Sequence, residues 1–394
     1  MVFAGRTGRM PPRSRSRLLV NRDAGPLPAD ARPGPEVQAF HRRLPGYAPT
    51  PLRSLPSVAG AVGVGRVLIK DESSRLGLPA FKILGASWAT YRVLCSRLGG
   101  EEPAWVTLPD LAAVVAARLG PLRLVAATDG NHGRAVARMA SWLGLAATIL
   151  VPEGTAEARI DAIAGEGAEV VVVPGTYDDA VQVSAGMADD DVLVVSDTSW
   201  PGYEDTPRRV IEGYATIFTE IDDSAPGPLD LILVPLGVGA LGAAAGTWAR
   251  AGREPGDGPM LVGVEPTSAA CVTAAVEAGH VVEVPGPHDS IMAGLNCGLA
   301  SPLALPTVAS TFDAFVTVTD DHCRDAIRTL ADAGMDVGET GAAALAGLQA
   351  LLADHGEEFP VPPQATVLLL ATEGVTDPAN FEQIVRRPPR VTPP

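Results

Sequence analysis

Lysine is almost missing from this chain. Of its 30 basic residues only Lys70 and Lys82 are lysine; the other 28 are arginine. Routine surface cations are therefore written as arginine, and a surviving lysine marks a place where arginine does not serve. Basic charge is scarce overall: 46 acids leave a net charge of −16, which argues against nucleic-acid binding through clustered Lys and Arg and against a polybasic membrane patch. The four cysteines (Cys95, Cys271, Cys297, Cys323) are widely spaced with no CxxC, so neither a zinc framework nor a disulfide-dense scaffold is expected. The six histidines form no HExxH and no i, i+4 pair, and no metal site is expected. No apolar run reaches the roughly 18 residues of a membrane span. The chain through Arg22 holds six arginines and no acid. It resembles a transit peptide in composition, lacks the apolar segment of a signal peptide, and reads as a disordered tail, as does the C-terminal RRPPRVTPP. A soluble, cytoplasmic protein is expected.

What is present is glycine and proline, 42 and 36 residues, and a regular alternation. At 394 residues the chain is too long for one simple domain and suggests two, or one with a large insertion. Short runs rich in Val, Ile and Leu (66–70, 123–127, 147–151, 169–173, 192–196, 231–235, 260–265, 366–371) alternate with Ala-rich helical stretches. That pattern predicts an α/β protein with mostly parallel sheets buried on both faces. Ligands of such folds lie beyond the C-terminal ends of the strands, and the chemically informative loops fall there.

Lys82 follows a Gly-Leu-Pro loop and opens an Ala-rich helix. A lysine amine condenses with a carbonyl; a guanidinium does not. The dipole at a helix start also favours the neutral amine. The alternative is an ordinary surface lysine. Lys70 ends a strand beside Asp71 and Glu72, where an ion-paired structural role competes with a functional one. Thr128, Asp129, Asn131 and His132 crowd one strand-to-helix turn with Gly130 and Gly133. That is more polarity than a cap requires, and it suits an anion such as a carboxylate. Residues 231–249 run strand, glycine loop, helix, the form of a phosphate cradle. GVGALG also matches the dinucleotide fingerprint GxGxxG, with Glu265 placed as a ribose-binding acid. Asp197, after 192–196, reads as a base or a cap, and Thr372-Glu373 follows another buried strand.

Together these motifs resemble the pyridoxal-phosphate enzymes of fold type II, the tryptophan-synthase-β type, and more narrowly the diaminopropionate ammonia-lyases. The likeness runs over about 36–385 and rests on KDESSRLGLPAFK (70–82), TDGNHGRAVA (128–137), TYDDAV (176–181), DTSWPGY (197–203), IMAGLNCG (291–298), GETGAAAL (338–345) and ATEGVTDP (371–378). It implies two three-layer domains with the cofactor in the cleft between them. The large domain is expected from 21–90 and 206–385 and the small one from 91–205, with tails at 1–20 and 386–394. It implies a homodimer acting on a small amino acid: α,β-elimination of 2,3-diaminopropionate to pyruvate and ammonia. By the same resemblance Lys82 holds pyridoxal 5′-phosphate and takes the α-proton. Asn131 contacts the cofactor 3′-oxygen, and Gly237, Val238, Gly239, Ala240 and Leu241 cradle its phosphate. Thr372 faces the pyridine nitrogen as a neutral hydroxyl that leaves it unprotonated. Thr128, Asn131 and His132 hold the substrate carboxylate, while Asp129 and Asp197 face the substrate. Asp129 is the candidate base for a D-isomer.

The chain departs from the usual family pattern at Leu76, Pro79, Gly85-Ala86-Ser87-Trp88, Ala371 and Val375. These changes bear on the substrate more than on the cofactor. Another fold-type-II β-eliminating lyase, such as a serine/threonine dehydratase or a specialised-pathway paralogue, stays open as an alternative, as does a catalytically silent relative. Cys271 and Cys297 match family cysteines and stand either as a disulfide or as two buried thiols.

Overall fold

The protein is described from a computed structural model that covers residues 16–100, 102–128 and 130–390. Among the described residues, eleven strands form two sheets. They are β1 (Leu18–Val20), β2 (Leu52–Ser54), β3 (Arg66–Asp71), β4 (Arg123–Ala127), β5 (Ala146–Pro152), β6 (Glu169–Val173), β7 (Val192–Val194), β8 (Leu231–Pro235), β9 (Met260–Pro266), β10 (Ala314–Val318) and β11 (Thr366–Ala371). The larger sheet has the order β1-β10-β9-β8-β11-β3-β2, and the smaller β6-β5-β4-β7. All pairings are parallel except those of the edge strands β1 and β2. The strands read as unbroken apolar runs because helices cover both faces: β8 and β10 are buried throughout. The smaller sheet uses only residues between 123 and 194, while the larger draws on chain before and after it.

Three of the eleven strands, β1, β2 and β10, go beyond the sequence reading. The tail expected through residue 20 gives way to β1, whose Leu18, Leu19 and Val20 pair with Val316, Phe315 and Ala314. The rest of that expected tail, 1–15, lies outside the described residues. Sequence reading passes over β10, a short run followed by a capped helix rather than by a glycine or polar site loop. At the other end Arg387 clasps Asp336 with both guanidinium nitrogens, and the Arg390 amide donates to the same carboxylate. The chain is thus tied down through Arg390, and the remaining expected tail, 391–394, lies outside the described residues. Among the described residues no helix is long and apolar enough to cross a membrane.

The helix Lys82–Arg97 packs against both Asn131–Leu143 and Asp205–Gly213. Its crossing with the second is close enough to demand glycine. A Cβ on Gly213 would stand 2.5 Å from the Leu84 oxygen, and one on Gly85 would stand 2.6 Å from the Tyr214 ring. The loop before the helix is a tight hairpin. Arg75 and Leu78 exchange backbone hydrogen bonds around Leu76 (φ 54°) and Gly77 (φ 74°), the left-handed pair of a two-residue turn.

Behind that hairpin lies a fully buried charge cluster. Lys70 Nζ donates to the Thr50 carbonyl at 2.8 Å and to Glu220 Oε2 at 2.6 Å. Arg75 forks onto Glu72 and Glu220 at 2.6–2.9 Å. Two cations meet two anions, so the cluster is neutral. Lys70 thus has a structural partner, Glu220 rather than its chain neighbours. The cluster also shows why arginine fails there: a guanidinium brings five N–H donors, and Lys70 meets two acceptors. His41, held neutral by burial at a pKa of about 3, extends the cluster to the lysine helix. Its Nε2 donates to the Leu84 oxygen and its Nδ1 accepts from Thr216.

Removing one partner from such a cluster strands a buried charge. Glu220→Ala is expected to cost about 3–5 kcal/mol and Lys70→Arg about 1–3 kcal/mol through overpacking. Urea unfolding midpoints measure both, and an unchanged midpoint for Lys70→Arg refutes the packing account.

Candidate active site

The C-terminal ends of β4, β7, β8 and β11 meet the start of the lysine helix around one cavity between the sheets. Lys82 is the first residue of its helix. Its Nζ lies 2.6 Å from Asp197 Oδ2, and Tyr177 donates to Asp197 Oδ1 at 3.0 Å. Burial raises the Asp197 pKa, but the Lys82 charge and these hydrogen bonds outweigh it and hold the carboxyl well below the usual range. The helix dipole disfavours charge on Lys82, whereas this carboxylate favours it; at 2.6 Å the ion pair is the stronger influence.

In the turn after β4, Thr128 Oγ1 accepts from the Gly130 and Gly133 amides at 2.9 and 3.0 Å. A Cβ on Gly133 would collide with Thr128 and Ile149 at 2.3–2.4 Å, so glycine is obligatory there. Asn131 opens the next helix and donates through Nδ2 to Glu373 Oε2. Of the first-turn amides, that of Gly133 is taken by Thr128, while those of Asn131 and His132 have no intrahelical acceptors and suit an anion. His132 is buried, with Nε2 2.7 Å from the Val195 oxygen. Asp129 lies outside the described residues.

The glycine loop after β8 turns through Gly239 (φ 101°) into the helix Ala240–Arg250. A Cβ on Gly237 would press to 3.1 Å from the Gly294 oxygen, so the cradle depends on a bare backbone. Residues 236–241 carry no acid to repel a phosphate. Glu265, the ribose-binding candidate, is fully buried and spent on the start of the helix Cys271–Ala278, accepting from the Val272 and Thr273 amides. The dinucleotide reading loses its acid. Thr372 follows β11 and donates to the Thr340 oxygen at 3.2 Å.

Lys82, Thr128, Asn131, His132, Asp197, Gly237–Leu241 and Thr372 all line this one cavity. Its donor set fits pyridoxal phosphate: an amine for the aldehyde, a glycine-loop helix start for the phosphate, and an amide and a hydroxyl between them. Tyr177, Gly294, Cys297, Thr340 and Glu373 line it too. All five lie within the motifs that carry the family resemblance, where local sequence gives Tyr177, Gly294, Thr340 and Glu373 no role and the resemblance leaves Cys297 as a disulfide partner or a buried thiol. Tyr177 meets Asp197 from 20 residues away, Glu373 accepts from the Thr340 amide as well as from Asn131 across the cleft, and a capping box at Thr176 is a local signal near Tyr177. Cys271 and Cys297 are both buried thiols. The Cys271 Sγ lies 3.6 Å from the Gly237 oxygen, behind the cradle.

Glu339, buried at the start of the helix Glu339–Asp354, has its pKa pushed up to about 7 by burial and by the neighbouring Glu373 charge. It is therefore protonated in the fold between about 4.5 and 7 but ionised in the unfolded chain. Its contribution to stability falls as pH rises through that window. Glu339→Gln keeps the acceptor for Asn380 and removes the titration. The variant should gain up to about 3 kcal/mol relative to the parent between pH 5 and pH 8, read from denaturant midpoints. Parallel pH profiles contradict the assignment.

The sequence profile of the pyridoxal-phosphate dependent enzymes matches residues 43–373. The diaminopropionate ammonia-lyase of Salmonella typhimurium is 34% identical, over 89% of this chain and 91% of that one. The crystal structure of the Escherichia coli diaminopropionate ammonia-lyase in complex with D-serine superposes with a TM-score of 0.84 at 30% identity, covering 94% of this chain and 97% of that one. The same enzyme in complex with an aminoacrylate-PLP azomethine reaction intermediate superposes with a TM-score of 0.83, with the same coverage.

Proposed function

Since this chain belongs to the pyridoxal-phosphate-dependent enzymes and, within them, to the diaminopropionate ammonia-lyases, we propose that its cavity carries out the α,β-elimination of 2,3-diaminopropionate to pyruvate and ammonia. The observation that carries this reading is the Lys82–Asp197 pair at the heart of the cavity: an amine able to hold the cofactor and a carboxylate able to hold a second amine. Bound pyridoxal phosphate supplies an electron sink for the pair left at Cα.

The protein's own residues do the rest. The glycine loop and helix dipole at Ala240 balance the phosphate charge. Asn131, oriented by Glu373, and Thr372, oriented by Thr340, set the ring in the cleft. The first-turn amides at Asn131 and His132 receive the substrate carboxylate, with Thr128 bracing the turn. Lys82 Nζ, released when the substrate amine takes its place, accepts the α-proton of an L-substrate. Asp129 is the proposed base for a D-substrate. Asp197 binds the β-ammonium, and the C–N electron pair leaves with the nitrogen as ammonia. We place the enzyme in the cytoplasm as a homodimer. Buried thiols suit a reducing compartment, and the dimer follows the family resemblance.

A serine/threonine dehydratase reading predicts the opposite preference, since a hydroxy amino acid offers Asp197 no cation. Pyruvate or ketobutyrate release from D- and L-diaminopropionate, serine and threonine in parallel decides between them; equal or better turnover of serine or threonine overturns the proposal. Lys82→Ala is expected to abolish the cofactor's long-wavelength absorption together with turnover. A colourless parent protein that stays colourless with added cofactor refutes any enzyme reading. Asp129→Asn should depress D-turnover selectively, and equal losses for both isomers remove that assignment.

A further inference from the structure

The surroundings of His132 decide which of its nitrogens carries the proton. Nε2 is 2.7 Å from the Val195 carbonyl oxygen, and a carbonyl only accepts, so Nε2 holds the hydrogen and donates it. In the neutral ring Nδ1 is then a bare lone pair. Burial and the Lys82 charge oppose a second proton, against Asp197 and the Val195 bond, and the pKa is lowered. Among the described residues Nδ1 has no hydrogen-bond partner and is buried, in a residue 2% exposed that lines the cavity. A lone pair repels a carboxylate, so this side chain is unsuited to the substrate carboxylate expected for it. It calls instead for an N–H donor.

The neighbouring carboxylate has the same need. Asp197 is 5% exposed and is matched by the Lys82 ammonium on Oδ2 and the Tyr177 hydroxyl on Oδ1. Once Lys82 Nζ is bonded to carbon or has turned to the α-proton, Oδ2 loses its cation. A buried carboxylate left so is costly, and a buried imidazole lone pair adds to the deficit.

We propose that Asp197 and His132 form a two-acceptor seat for the second ammonium group of the substrate, with Asp197 Oδ2 and His132 Nδ1 each taking one of its N–H bonds. The seat deepens the elimination reading and rests on it. It supplies a specificity that one carboxylate lacks: a hydroxyl carries a single proton and leaves one of the two acceptors unmatched. It also loosens with the reaction. When the C–N bond breaks, its electron pair stays on nitrogen and the pair released at Cα forms the Cα–Cβ double bond. The ammonium departs as neutral ammonia, a weaker donor to both acceptors.

Two substitutions separate the seat from packing. In His132→Gln the amide nitrogen can keep the hydrogen bond to Val195 while the Nδ1 acceptor is lost. In His132→Asn an amide oxygen stands near the Nδ1 position without reaching Val195. In the holoenzyme, His132→Gln should raise KM for diaminopropionate about 10- to 100-fold, the span of a hydrogen bond to a charged group. Serine binding, followed by the cofactor absorbance, should change less than about twofold, and His132→Asn should recover part of the loss. Independently of turnover, nitrogen-15 NMR of histidine-labelled holoenzyme should show His132 as the Nε2–H tautomer, with its Nδ1 signal shifted by ammonium chloride and not by sodium chloride. Equal losses for both amino acids, a protonated Nδ1 in the resting enzyme, or an Nδ1 signal indifferent to ammonium each overturn the seat. A parent enzyme that releases no pyruvate from diaminopropionate would instead refute the elimination reading, and the ammonium titration would still report on the seat.

Discussion

The ion pair between Lys82 and Asp197 spans the cleft, and the rest of the site is organised around it. Lys82 is presented by the helix that packs between the two sheets' layers, and Asp197 by the loop leaving β7 of the smaller sheet. A carboxylate this deeply buried is tolerable only with a cation and further donors, and Lys82 and Tyr177 provide them. In the proposed reaction that requirement makes Asp197 useful: the chemistry takes Lys82 away, and the carboxylate then calls for another positively charged group. The same electrostatic need that holds the resting site together thus bears on substrate choice.

Accuracy at Lys82 depends on what lies behind it. The hairpin 75–78, the charge cluster of Lys70, Arg75, Glu72 and Glu220, and the His41 bond to Leu84 fasten the helix start from one side. The TEG turn fastens it from the other: the Gly374 amide donates to the Pro79 oxygen, and a Cβ on Gly374 would stand 2.7 Å from the Ser73 oxygen. Both lysines therefore serve one place in the fold. Lys82 is kept because a guanidinium does not condense with an aldehyde; Lys70 is kept because its buried niche matches an ammonium and not a five-donor fork.

Much of this was legible in the chain alone, because it is local. An apolar strand of four to seven residues, a glycine needed for a tight turn and a polar cluster at a helix start each declare themselves within a few positions. Hence eight of the strands, the glycine loop at 237–241, the polar turn at 128–133 and the placement of Lys82 at a helix start could be read from sequence. The edge strand β1 could not, since its Arg-rich approach reads as a tail until β10 offers it a partner. Glu265 was equally ambiguous: its position fits a ribose acid, and only the fold shows its carboxylate spent on backbone amides.

What the sequence by itself determined is the inventory: an α/β chain with one lysine opening a helix after a glycine loop, one glycine loop between a buried strand and a helix, and polar turns at strand ends. Tertiary structure decided the pairings. Lys82 meets Asp197 from 115 residues away, Lys70 meets Glu220 from 150, and Asn131 meets Glu373 from 242. It also decided which nitrogen of His132 carries a proton, because the Val195 carbonyl that fixes it comes from another strand end. Charge and hydrogen-bond complementarity are properties of distance in space, and no periodicity along the chain encodes them.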